Sequence, residues 1–136
     1  MKLKFIYLLR NLFIGNSWLY MDEEDRKQIR DAFIRMVDHI SDKEYQKRAW
    51  IKGEAADFDE AVCHFFDEGD SILENYKDFG ITEDQYRLLK KLRDEFRIFA
   101  DENDWPPEFI DTPKWAGIMD LAKDVLKAFK YSKSKT

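Results

Sequence analysis

Cys63 and His64 stand side by side in the stretch DFDEAVCHFFDEGD, which also carries Glu60 and Glu68. A thiolate beside an imidazolium would make a nucleophile. On a helix, however, adjacent side chains point apart and do not face each other. Cys63 borders the apolar stripe of its segment, so it is expected to act as a small buried hydrophobe. Glu60, His64 and Glu68 share one helical face at i, i+4 and i+8, a spacing that offers ligands to a metal. Di-iron bundles instead place Glu and His three apart, use that motif twice and add further inward Glu. With only His39 and His64 in the chain, that set cannot be built, and hydrogen bonding within the helix is the expectation. Asp101-Glu102-Asn103-Asp104 opens like a calcium loop, but Pro106 stands where the loop needs glycine and the spaced terminal Glu is missing. No phosphate-binding glycine loop and no serine elbow occurs. No catalytic, cofactor-binding or metal-ligating residue is therefore assigned.

Charge is the stronger signal. The chain carries 28 acidic and 23 basic residues, a net charge of −5. Between Glu54 and Asp78 there are nine acids against one lysine, Lys77, so this stretch is more negative than the whole. Between Asp101 and Asp111 come five acids and no base, around Trp105, Phe109 and two prolines. Phosphate neutralisation needs the opposite sign, which argues against nucleic acid as a partner and for a basic protein. The expected contact set is Asp59, Glu60, Asp67, Glu68, Asp70 and Glu74 on one helix, with Asp101 and Asp104 in a loop. Trp105 and Phe109 would supply apolar anchorage if exposed.

These groups need elements to hold them. Residues 57–80 have apolar or small side chains at 58, 61, 62, 65, 66, 69, 72, 73 and 76, which predicts one long amphipathic helix. Asp57 is placed to cap it, with Glu60 reaching back, and Gly80 to end it. Gly69 lies on the apolar stripe and predicts a close helix crossing. Helices are also predicted over 23–40, capped by Asp22, and over 42–52, with Ser41 and Glu44 as a capping box and Gly53 as the stop. A fourth runs over 83–100, with Thr82 and Gln85 as a capping box, and a fifth over 113–130, opened by Thr112-Pro113. Trp105-Pro106-Pro107 reads as loop, because the residue before a proline is driven to extended geometry. The sum is an all-α, single-domain bundle of five to six helices, with no β pattern and no fixed-period repeat.

The 136 residues suffice for one core without disulfides. A single cysteine suits a reducing compartment, and a cytoplasmic location is expected. Residues 1–20 combine a basic start with an apolar run that Arg10 and Asn11 interrupt. That is too short and too polar to span a bilayer, so a docked helix or an anchor-like segment is expected rather than stable membrane insertion. A start at Met21 is the other reading. Residues 21–130 form the bundle, and 131–136 a frayed basic tail.

Four segments, EYQKRAWI (44–51), DFDEAVCHFFD (57–67), YKDFGITEDQYRLL (76–89) and WPPEFIDTPKW (105–115), together resemble the small all-helical immunity proteins of bacterial contact-dependent growth inhibition and other polymorphic toxin systems. The resemblance implies a small cytoplasmic antitoxin-type protein that binds a cognate, basic nuclease toxin domain and blocks it. It implies no catalytic residue. Rival readings are a metal-dependent all-α hydrolase with inward carboxylates, and a scaffolding or membrane-surface adaptor using residues 1–20.

Overall fold

The computed structural model describes residues 21–132. The expectations for residues 1–20 and for 133–136 lie outside them. The described residues form six α-helices: α1 (Glu23–Ser41), α2 (Lys43–Gln46), α3 (Phe58–Glu74), α4 (Glu83–Glu102), α5 (Pro106–Phe109) and α6 (Pro113–Ala128). A π-helical turn, Lys47–Ile51, follows α2 directly. No strand occurs among the described residues, so the all-α expectation holds. None of these helices is long and apolar enough to cross a membrane.

The local chemistry fixes the ends. Asp22 accepts from the Asp25 N–H at 2.8 Å, Asp57 from the Glu60 N–H at 2.9 Å, and Thr112 from the Trp115 N–H at 3.3 Å. Thr82 and Gln85 form the full reciprocal box, 3.2 Å one way and 2.9 Å the other. Each cap satisfies a donor that the helix start leaves open, a contribution of about 1 kcal/mol.

Four positions differ from expectation. α3 stops at Glu74, and a turn over 75–80 follows. There the Ile81 N–H reaches the Tyr76 carbonyl and the Gly80 N–H that of Lys77, a Schellman closure with Gly80 at φ +70°. Gly80 thus ends the turn rather than the helix. Ser41 does not cap α2, because its hydroxyl donates back to the Asp38 carbonyl at 2.7 Å. Asp42 takes the cap instead, accepting from the Tyr45 N–H at 3.2 Å. Trp105 does adopt the extended backbone that a following proline demands (φ −119°, ψ 94°), but Pro106 and Pro107 then open α5. Proline fits a first helical turn, where its missing N–H would have no partner anyway. Tyr131, expected in the frayed tail, is half-buried, and its N–H donates to the Leu126 carbonyl.

The four long helices pack as a ring in the order α1, α3, α4, α6 and back to α1. Neighbours run antiparallel. Tyr76 stacks on Tyr86 at one end of the α3–α4 pair, while Phe58 meets Phe96 towards the other. Gln85 donates to the Ala128 carbonyl at one end of α4–α6, and Phe99 meets Trp115 at the other. The crossing predicted at Gly69 is present: a Cβ there would stand 3.0 Å from Cε1 and Cζ of Phe33 on α1.

All the short elements gather at one end of the bundle, over an aromatic cluster. Trp115 is fully buried there, with ring centroids of Trp50, Phe58, Phe96, Phe99 and Phe109 between 5.1 and 6.3 Å away. Such pairs each add about 0.5–1.5 kcal/mol beyond the area they bury. Gln46, also fully buried, ties this end together. Its amide nitrogen donates to the carbonyls of His39 (3.0 Å) and Ile40 (2.8 Å), and its amide oxygen accepts from the Trp115 indole at 2.9 Å.

Candidate partner-binding face

The outward face of α3 follows from its periodicity. Asp59, Cys63, Asp67, Asp70 and Glu74 recur at i, i+4, i+8, i+11 and i+15, and all five are exposed. Four carboxylates therefore share one stripe about four turns long. Glu60 is exposed at its edge. Cys63 stands in the middle of this face, not in the core as expected. Its neighbour Val62 is the residue that turns inward, and one helical step separates the two.

Two of the expected contact residues are inside. Glu68 is 4% exposed and Phe109 2% exposed. Glu68 precedes Gly69, which is itself buried against Phe33 of α1. Phe109 points into the aromatic cluster, 4.9 Å from Phe58 and 5.0 Å from Phe99. Trp105 is the exposed aromatic of this segment, at 62%. α5 brings the two regions together, because Phe109 at its end rests on Phe58 at the start of α3, next to Asp59.

The rest of the expected loop is partly helix. Asp101 belongs to the last turn of α4, where it accepts from Arg97 at 2.8 Å. The Arg97 guanidinium also lies over the Phe66 ring of α3, 4.1 Å from its centroid, a cation–π contact. Asp104 is exposed.

The face is consequently less negative than a count of acids suggests. Arg93 of α4 grips Asp70 in a two-pronged pair, Nε–Oδ1 2.8 Å and Nη2–Oδ2 3.3 Å. That hydrogen bond holds the Arg93 guanidinium above its ordinary pKa, against partial burial. Asp94 accepts from Lys90 at 2.7 Å and from Arg93 at 3.2 Å, and its carboxyl is held below the usual range, chiefly by the Lys90 hydrogen bond. Asp111 is lowered in the same way by Lys43, 3.0 Å away. Among the described residues no lysine or arginine pairs with Asp59, Glu60, Glu74 or Asp104. Of the expected contact set, these four acids are left to meet an external cation.

Behind Glu60 a small pocket opens between α1 and α3, about 180 Å³ in volume. Met36, Ile40, Ala61 and Phe65 give it apolar walls, and His39, Tyr45, Trp50, Glu60 and His64 also line it. His39 and Tyr45 are stacked, with ring centroids 3.8 Å apart and planes 9° off parallel. Glu60 and His64 thus share a site as their spacing suggested, whereas Glu68 does not line it. His39, Tyr45 and Trp50 come from other segments. Of these, Tyr45 and Trp50 fall in the helix predicted over 42–52, but the stacking of His39 on Tyr45 had no signal in sequence. Among the described residues no group of three His, Cys, Asp or Glu side chains is placed to hold a metal ion.

No protein-family model matches the chain, and no curated protein and no solved structure matches it.

Proposed function

We propose that this chain is an immunity-type protein that binds a basic protein, the nuclease domain of a cognate toxin, through the outward face of α3 and the adjoining Asp104–Trp105 corner. The observation that carries the reading is the exposed carboxylate stripe Asp59, Asp67, Asp70 and Glu74, with an exposed tryptophan joined to its N-terminal end through α5. A nuclease must present cations to a phosphate backbone, and a rigid acidic surface competes for those cations. Opposite charge also raises the encounter rate, which serves a protein that must act before the toxin does. Trp105 supplies the rigid aromatic anchor that such interfaces concentrate their energy in. The helical bundle and the segment resemblance to immunity proteins both accord with this use.

The test is reversal of the unpaired acids. Asp59→Lys with Glu74→Lys leaves the Arg93–Asp70 pair intact, so folding should be unaffected. The doubly reversed protein should lose protection of cells expressing the cognate toxin domain and should bind that domain at least 100-fold more weakly. Unchanged protection by a folded double variant would remove the reading.

A further inference from the structure

We infer that the pocket between α1 and α3 receives one arginine side chain of the basic partner, with its stem against Met36, Ile40 and Ala61 and its guanidinium at Glu60. The assignment rests on the basic-partner reading above and adds a specific socket to it.

Size limits the occupant first. Sites for cofactors and drug-sized ligands run to about 300–1,000 Å³, and a cavity of about 150 Å³ is filled by one benzene ring. A pocket of about 180 Å³ therefore takes a single side chain. Chemistry narrows it further. The walls are apolar below, which suits the methylene stem that long basic side chains bury while the charged head stays near water. Glu60 at the rim is exposed, and no lysine or arginine pairs with it among the described residues. The stacked His39–Tyr45 rings and the Trp50 ring line the pocket, and a planar guanidinium stacks on aromatic rings more readily than the compact ammonium of lysine. Glu60 adjoins Asp59 at the start of the acidic stripe, so a basic surface docked on α3 brings its cations to the pocket mouth.

The test uses the full chain and a defined probe. N-acetyl-arginine methylamide is titrated into isotope-labelled protein at pH 8, and the Ala61 and Met36 methyl and His64 ring resonances are followed. Saturable shifts at these positions are expected. They should weaken at least fivefold in Glu60→Gln, which alters an exposed side chain, and vanish in Ala61→Leu, which fills the pocket. Equal response to N-acetyl-glutamine methylamide, preference for the phenylalanine analogue, or an unchanged response in Ala61→Leu would overturn the assignment. If the probe seats but the Asp59→Lys, Glu74→Lys protein still captures its partner, the reading of the acidic face fails and the socket stands. If charge reversal abolishes capture and the probe does not seat, the socket alone fails.

Discussion

Replacing Gln46 by leucine should destabilise the protein by about 3 kcal/mol. Gln46 is fully buried and makes three hydrogen bonds, to the His39 and Ile40 carbonyls and from the Trp115 indole. Each is worth about 1 kcal/mol net, and a buried group left without its partner costs about 1–3 kcal/mol. Leucine is similar in volume, so no large cavity term arises, and its apolar surface returns roughly 1–2 kcal/mol by burial. The losses outweigh that return because the Ile40 carbonyl of α1 and the Trp115 indole of α6 are orphaned together, while the His39 carbonyl keeps the Asp42 N–H at 3.3 Å. A loss of about 3 kcal/mol is a large share of the 5–15 kcal/mol that a domain of this kind commands. In urea unfolding followed by circular dichroism, the midpoint should fall by roughly 1–3 M with the slope unchanged. Adding Trp115→Phe removes one orphan, so the double variant should be less destabilised than the sum of the singles by about 1 kcal/mol. A single-variant loss below about 1 kcal/mol, or strict additivity, would refute the idea that Gln46 clamps α1, α2 and α6.

Three further outcomes follow from named contacts. Phe109→Ala should cost about 3–5 kcal/mol, as a core aromatic does, whereas Trp105→Ala should change stability by no more than about 0.5 kcal/mol, as an exposed residue does; thermal unfolding of both variants checks the pair. Gly69→Ala gains about 1 kcal/mol of helix propensity but drives a methyl into the Phe33 ring, and overpacking of this sort costs about 1–3 kcal/mol. A net fall in Tm of a few degrees is expected, reversed in a Phe33→Leu background. Asp94 has its folded pKa below its unfolded value of about 3.9. Its stabilising effect is therefore complete above about pH 4 and disappears as pH falls through the lowered folded value. Asp94→Asn should lose at most about 1 kcal/mol at pH 7, as exposed pairs do, and its stability should decline less steeply below pH 4 in acid titrations of urea midpoints.

Much of the fold was legible because each long helix has a period and a cap. The stripe Leu89, Leu92, Phe96 and Phe99 is buried as its spacing required, and the Thr82–Gln85 box closes as written. What failed were positions whose fate a second element decides. Glu68 lies at the edge of the polar sector of α3, beside the buried Gly69, and its burial has no signal in the local pattern. Cys63 stands in the middle of the outward face of the same helix, one residue past the inward Val62, and is exposed. Phe109 reads as a loop aromatic until Pro106 and Pro107 are seen to start a helical turn that swings it inward. Ser41 and Asp42 competed for one cap, and the end of α1 claimed the serine. The acids of α3 were legible as a set, but their pairing was not. The Arg93–Asp70 contact spans 23 residues and comes from antiparallel packing that no local pattern states.

The central claim is that the α3 face holds a basic protein by charge. Its most direct test is capture of partners by the tagged chain from its own host's lysate, identified by mass spectrometry at low and moderate salt. The account predicts one basic partner with a nuclease domain, held at low salt, released as salt rises, and lost when Asp59 and Glu74 are reversed. A partner that is acidic, or one retained equally by the reversed protein at both salts, would contradict it.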